Sequence, residues 1–381
     1  MKYKLFKIVK KMLLTLGIFV GVIIIMGLLF VNLSPQFGGK HTDEAIARFE
    51  TSQNFKKGKF TNQSFTPTFP GFSDLGKVFK AVTKKVPNTI PSSPIKVEKV
   101  SNQEFTKPSN ETKFIWFGHS AFLLEIQGKR ILIDPMLSDV PAPHPWLGGK
   151  RFTDGLPMSV EDLPSIDAVI FSHDHYDHLD YETIQKIKKR VKKYFTPLGL
   201  GTHLQAWGID KDDIVELDWW EETQFEDLKF VATPARHFSG RGLSDSMKTL
   251  WASWIIQSET ENIYFSGDSG YDTHFKKIGE KYGPFDIAFM ECGQYNDDLP
   301  DSPIHMYPEQ TAQAALDVKA QYTMPIHWAS FKLNNHPWKE PVERLIKKAE
   351  EFNITLLTPR IGQVFTLNSL DNSSSNWWEK Y

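Results

Sequence analysis

FSHDHYDHLD, residues Phe171 to Asp180, sets three histidines beside two candidate acidic partners, Asp174 and Asp177. His173, His175, Asp177 and His178 follow a His-x-His-x-Asp-His spacing. Solvated loop polarity explains such a density poorly. A bound cation explains it well, because imidazole nitrogen and carboxylate oxygen both ligate zinc.

The stretch directly before it, IDAVIFS, is an apolar run of strand type. The cluster therefore falls just past a strand end. The same is true of three distant residues. His237 follows KFVATPAR, Asp268 follows IYFSG and His327 follows YTMPI. Strand ends converge on one edge of a sheet, and the loops there carry sites. Taken singly, His237 and His327 read as hydrogen-bonded loop residues, and GDSGY reads as a plain turn. The cluster lends them weight, because its four ligands are too few to close two metal shells. Asp268, with two carboxylate oxygens, suits a bridging place, and its flanking glycines would let backbone approach a cation.

The rest of the composition narrows the class. The chain has 381 residues, 40% of them hydrophobic, enough to bury a sizeable core. A formal net charge of −2 argues against binding nucleic acid through bulk charge. One cysteine, Cys292, excludes an internal disulfide framework and a thiolate zinc cluster.

Met12 to Leu33 carries no charged residue. It is long enough to span a bilayer, which takes about 20 apolar residues, and exceeds the ~7–15 of a signal-peptide core. Five lysines precede it and predict a cytoplasmic N-terminus. The expectation is an uncleaved single-pass anchor with the remainder on the extracytoplasmic, periplasmic side. A long cleaved signal is the competing reading.

Four segments follow: residues 1–34 as cytoplasmic tip and anchor, 35–112 as linker or extended arm, 113–370 as the main domain, and 371–381 as a tail. The phenylalanines of residues 46–80 read as hydrophobic tethers in a linker, with the bilayer surface as the other surface they could meet. From Lys113 onward, short strand runs come first and strands alternating with helical patterns come later. YETIQKIKKRVKKY, for instance, has helical spacing at Ile184, Ile187 and Val191. Two packed sheets with helices outside are expected, a layered α/β architecture.

SHDHYDH also matches the signature of the metallo-β-lactamase superfamily. More closely, WFGHSAFLLEI, SHDHYDHLDY, TPLGLGTHLQAWGI, TLWASWII, GDSGY, HMYPEQ and MPIHWASF resemble the N-acyl-phosphatidylethanolamine-hydrolysing phospholipase D family. The likeness runs from about Lys113 to Phe365. It implies an αββα sandwich and two zinc ions. By the same resemblance His173, His175 and His237 would hold one ion, Asp177, His178 and His327 the other, with Asp268 bridging. Asp134, in LIDP, would support the site without ligating, and it also suits a turn cap before Pro135. Asp174 has no place in the pattern.

The resemblance further implies a phosphodiesterase in which a hydroxide bridging the ions attacks phosphorus, with Asp177 and His305 as the catalytic residues. His305 would bind substrate or protonate the leaving group, against a helix-start hydrogen bond as the plainer role. Arg236 stands between a phosphate contact and a surface salt bridge, and Trp219 and Trp220 read as core. Expected partners are a phospholipid substrate, the membrane and, in a homodimer, a second copy. A lactone, a β-lactam or a soluble phosphodiester remains an alternative substrate, because the fold hosts many chemistries. A non-catalytic, metal-stabilised envelope protein also remains open.

Overall fold

A computed structural model of the chain describes residues 2–68, 74–109, 111–299, 303–369 and 374–381. A two-residue hairpin, β1 (Phe55–Lys56) and β2 (Lys59–Phe60), precedes two large sheets. The first sheet is built from β3 (Lys113–Trp116), β4 (Phe122–Ile126), β5 (Lys129–Ile133), β6 (Ile166–Ile170), β7 (Val191–Pro197) and β8 (Ile214–Leu217). The second holds β9 (Glu222–Phe225), β10 (Leu228–Thr233), β11 (Ser253–Gln257), β12 (Asn262–Phe265), β13 (Phe285–Glu291), β14 (Ala320–Ile326) and β15 (Thr355–Leu356). Strand β16 (Val364–Thr366) then returns to the first sheet beside β3. Each sheet has seven strands, in the orders β16-β3-β4-β5-β6-β7-β8 and β15-β14-β13-β12-β11-β10-β9.

Alternation along these strands builds the layers. Phe114, Trp116, Phe122 and Leu124 of one sheet meet Phe230, Trp254, Phe265 and Phe289 of the other in a shared core. The intervening residues Ile115, Leu123, Leu132 and Val169 face outward onto α5 (Tyr181–Ile187) and α6 (Gly201–Ala206). On the far side, Val231, Ile255, Tyr264 and Ala288 pack on α7 (His274–Lys281) and α8 (Pro308–Asp317). Helix α9 (Glu340–Phe352) adds Val342 and Leu345 to the central core. The result is the αββα sandwich that the motifs imply.

Strands β5 to β8 are mutually parallel, as are β12 to β15. Their C-terminal ends therefore share one edge of the sandwich, and the loops leaving that edge carry the histidines. One expected helix is shorter than its pattern. Val191 begins β7 rather than ending a helix, because VKKYFTP pairs in parallel with both β6 and β8.

The N-terminal segment is one helix, α1 (Lys2–Leu33), which includes the lysines. Within its span from Tyr3 to Leu33 an 18-residue window has a mean hydropathy of 2.9 and is not buried, so the helix is long and apolar enough to cross a membrane. Beyond it the segment read as a linker is closely packed. Helices α2 (Asp43–Glu50), α3 (Leu75–Thr83) and α4 (Asn102–Phe105) form along it. Phe49 and Phe60 are buried in the central core, and Phe105 lies under the first sheet. Phe65 and Phe79 are exposed, whereas Phe69 and Phe72 lie outside the described residues. The segment is thus an arm wrapped on the domain, because large aromatic faces gain more from burial than a solvated linker loses in chain entropy. The C-terminal segment also joins the domain. Trp377 and Trp378 are buried against Trp328 and Trp338, while residues 371–373 lie outside the described residues.

Candidate metal centre

The loop after β6 and the loops after β10, β12 and β14 meet at the shared edge. The imidazoles of His173, His175 and His237 converge there. His175 Nδ1 lies 2.9 Å from His173 Nε2 and 3.2 Å from His237 Nε2. A second group gathers beside it: Asp177 Oδ2 lies 3.6 Å from His178 Nε2 and 3.5 Å from His327 Nε2. Asp268 stands between the two. Its Oδ1 is 3.2 Å from His178 Nε2, and its Oδ2 is 3.0 Å from His327 Nε2 and 3.8 Å from both His173 Nε2 and His237 Nε2. All seven residues predicted as ligands therefore sit in one cluster.

These atoms suit cations better than they suit one another. His178 Nε2, His327 Nε2 and Asp268 Oδ1 are buried and lack a hydrogen-bond partner of acceptable geometry, although His178 Nε2 lies 3.2 Å from Asp268 Oδ1 and His327 Nε2 3.0 Å from Asp268 Oδ2. Lone pairs aimed at a common point produce that arrangement, and an orphaned buried polar atom is costly. Charge gives the same result. Burial and then neighbouring imidazoles hold His173 and His237 well below the ordinary histidine range. Burial also disfavours charge on His178 and His327, but the carboxylates of Asp268 and Asp177 outweigh it. They raise His178 well above 6.5 and His327 to about 10. Protons on those two rings balance the acidic pair, and cations taking the same lone pairs displace them.

The supporting groups are as specific as the cluster. Asp134, fully buried, accepts from Ser172 N at 2.7 Å and from Ser172 Oγ at 2.5 Å. It also takes His178 Nδ1 at 2.7 Å. With Nδ1 held by Asp134, His178 Nε2 is the atom that would lose its proton and take a cation. Gly267, at φ +55°, lets β12 end against Ser172: a Cβ there would lie 2.8 Å from the Ser172 Cβ. That close packing, rather than backbone approach to a cation, accounts for the glycine before Asp268.

Asp174 turns away from the cluster. It is buried, accepting from Gly240 N and Thr249 Oγ1 at 2.8 Å each, with His203 Nε2 at 3.4 Å. It braces the loop and is not among the convergent donors. His305 does reach the centre. Its Nδ1 makes a short hydrogen bond with Glu291 Oε1 and lies 4.0 Å from Asp268 Oδ2. Arg236 serves the arm: its guanidinium donates to Phe65 O, Thr66 Oγ1 and Tyr271 O, with Asp272 at 3.8 Å. Trp219 is buried and Trp220 partly so, both against core clusters.

Two residues of the centre escape a reading of motifs. His119, at the turn after β3, lies 3.1 Å from Asp177 Oδ2, and its ring packs 4.2 Å from that of His327. Burial and then His327 pull its pKa down to about 3, so it is a neutral donor to Asp177. Its one sign in the sequence was a histidine in WFGHS, a stretch that looks like an ordinary strand end; in the structure it sits at positive φ. Glu291 closes β13, fully buried, and its other oxygen takes Ser269 N at 2.7 Å. A carboxylate ending the apolar run FDIAFME was the available sign. A cavity of about 1000 Å³ bounded by Leu137, Val140, Pro145, Met158 and Asp180 is lined by none of the seven ligand residues.

The comparisons agree with this geometry. Residues 129–328 match the model of the beta-lactamase superfamily domain. A protein of Mycobacterium tuberculosis is 40% identical over 82% of this chain and 84% of its own length. The N-acyl-phosphatidylethanolamine-hydrolyzing phospholipase D 1 of Caenorhabditis elegans is 30% identical over 83% of this chain and 95% of its own length. Among solved structures, the metallo hydrolase Igni18 of Ignicoccus hospitalis superposes with a TM-score of 0.52, covering 67% of this chain and 97% of its own, at 22% identity. That last likeness concerns the fold alone. With its fold, its convergent His and Asp ligands and these relatives, the chain belongs to the metallo-β-lactamase superfamily, as a metal-dependent hydrolase related to the N-acyl-phosphatidylethanolamine-hydrolysing phospholipases D.

Proposed function

We propose that this chain is a membrane-anchored dinuclear zinc phosphodiesterase. It hydrolyses N-acyl-phosphatidylethanolamine, or a related phospholipid, to phosphatidic acid and N-acylethanolamine. One observation carries the reading: the end of α1 is bolted to the loop that bears the ligands. Arg241, buried, donates from Nε and Nη2 to Gln36 O at 2.9 and 2.7 Å. From Nη1 it donates to Asp174 O and Leu179 O at 2.6 and 2.9 Å. Its guanidinium lies over the rings of Tyr176 and Trp207, and Trp207 Nε1 donates to Pro35 O. Gly38, at φ +87°, allows this seat, since a Cβ would fall 2.0 Å from His203 Nδ1. No flexible spacer separates anchor and site, which supports a substrate held at the bilayer surface. The basic N-terminal tip supports a cytoplasmic N-terminus with the domain on the periplasmic side.

His173, His175 and His237 would hold one cation, and Asp177, His178 and His327 the other, with Asp268 shared. Two such cations lower the pKa of a water and offset charge on phosphoryl oxygens. The chain's own groups arrange the rest. Asp134 fixes the His178 tautomer, and His119 holds Asp177 in place. Glu291 grips His305 Nδ1, which leaves Nε2 to donate to a phosphoryl oxygen or to the leaving alkoxide. The core thiol of Cys292 takes no part.

The reconstituted full chain tests this with N-acyl-phosphatidylethanolamine, a chromogenic phosphodiester, a lactone and a cephalosporin. Turnover of the phosphodiesters is expected. Turnover of the lactone or cephalosporin alone would overturn the reading, and metal analysis near one zinc per chain would overturn the dinuclear part.

A further inference from the structure

The arm places a second amphipathic element at the metal edge. From the end of α1 it runs to His237, where Asn62 clamps the backbone on both sides: Nδ2 donates to His237 O at 2.7 Å and Oδ1 accepts from His237 N at 3.1 Å. Phe65 and Thr66 then meet Arg236. Helix α3 docks further along through Ala81, which is buried. Asn335 Nδ2 donates to Ala81 O at 3.0 Å and Lys84 O at 2.8 Å, and Lys84 pairs with Asp298 at 2.6 Å. Asn335 follows β14 and Asp298 follows β13. The contacts of the α1 exit, Tyr176, Trp207 and Arg241, follow β6, β7 and β10. Both elements therefore sit at the strand-end edge that carries the ligands.

At that edge α3 turns an apolar face to solvent. Leu75, Phe79 and Val82 are 53%, 72% and 72% exposed. Their i, i+4, i+7 spacing puts them on one side of the helix. Lys77 and Lys80 lie on another side, and Lys85 follows. Other exposed apolar side chains gather at the same edge: Phe65, Leu243 and Trp146. Trp146 marks the exit of α1, since its ring and that of His144 pack 5.8 and 4.9 Å from Phe30, in the last turn of that helix. Tryptophan is enriched at membrane–water interfaces.

We propose that α3 lies in the surface of the bilayer that α1 spans. Its Leu75–Phe79–Val82 face sits below the headgroups and its lysines lie among anionic ones, so the metal edge is pressed onto the membrane at two points. A helix with one apolar face and lysines on the other side has the composition of an interfacial helix. A second copy of the chain would match the apolar face but would leave the lysines unaccounted for. The inference rests on α1 spanning a bilayer and not on the identity of the substrate.

Cys292 is buried, so Phe79→Cys gives the full chain one reactive thiol for an environment-sensitive fluorophore. Asp227→Cys places the same probe in the exposed turn between β9 and β10, at the opposite edge. Both labelled proteins are reconstituted in phosphatidylcholine–phosphatidylglycerol vesicles that contain a shallow nitroxide-labelled lipid. Quenching at position 79 should exceed that at position 227 by about twofold or more, with blue-shifted emission. Equal, weak quenching at both positions would overturn the proposal. So would a blue shift without quenching that disappears on dilution into excess vesicles, which would assign the face to a second copy. The readout needs no turnover. Quenching in a protein inactive on phosphodiesters would retire the substrate reading and leave this one standing.

Discussion

Asp134→Asn isolates the choice of tautomer at the metal centre. Asp134 Oδ1 accepts from Ser172 N, a group that can only donate. An asparagine must therefore keep its carbonyl oxygen at that position. Its NH2 then takes the place of Oδ2, facing His178 Nδ1 at 2.7 Å. The ring nitrogen has to accept, the proton moves to Nε2, and the lone pair needed for a cation is lost. Restoring the competent tautomer sacrifices a hydrogen bond to a charged group, about 1.5–3 kcal/mol. That corresponds to a fall of roughly 10–100-fold in metal affinity, the range usual for groups that orient a ligand. The loss should fall on the cation that Asp177, His178 and His327 would hold. The site of His173, His175 and His237 should change by less than about threefold, since its imidazoles make no direct contact with Asp134. Competition against a chromophoric chelator, with the full chain in detergent, resolves the two affinities. A matched urea midpoint for the metal-loaded variant excludes general unfolding. Two affinities unchanged within about twofold, or an equal loss at both sites, would refute the reasoning.

Three further outcomes follow from the same structure. Glu291→Gln removes the carboxylate that grips His305 Nδ1 and should lower kcat on a chromogenic phosphodiester by about tenfold with metal content intact, while His305→Gln should cost about a hundredfold; unchanged rates would leave His305 a structural residue. Arg241→Met strips the donors from Gln36 O, Asp174 O and Leu179 O and should destabilise the chain by on the order of 3 kcal/mol in denaturant melts; a change below about 1 kcal/mol would contradict the clasp. Burial, then His203, pulls His41 from 6.5 to about 4, so it folds neutral. The stability it contributes is present above pH 6.5 and lost as pH falls to about 4, on the order of 2 kcal/mol given its partial exposure. Melts of wild type and His41→Gln at pH 7.5 and 5, which cross about three-fifths of that window, should differ in their pH-dependent loss by about 1 kcal/mol, with metal release cancelling between them; equal losses would refute it.

Much of the fold was legible because its signals are local. Strand β6 is a short strand of apolar residues broken only by Asp167, α1 carries an uninterrupted apolar stretch behind a basic tip, and the histidine spacing lies within six residues. Val191 was misplaced because a lysine-rich run such as IKKRVKKY satisfies both periods, and pairing with β6 and β8 decided between them. The arm and the tail looked like connectors, since nothing local reveals that Phe49, Phe60, Trp377 and Trp378 find a core already built by distant strands.

The sequence by itself determined which residues could ligate and that they follow strand ends, because a metal loop needs its donors a fixed few residues apart. Only the tertiary structure decided which groups hold those ligands. His119 meets Asp177 across 58 positions, Glu291 meets His305 across 14, and Arg241 ties Gln36 to Asp174 across 205 and 67. A lone histidine, glutamate or arginine carries no periodicity that marks it for such a role. What selects it is the penalty for leaving a buried carboxylate, imidazole or carbonyl without a partner, and that penalty arises only once the sheets have closed around it.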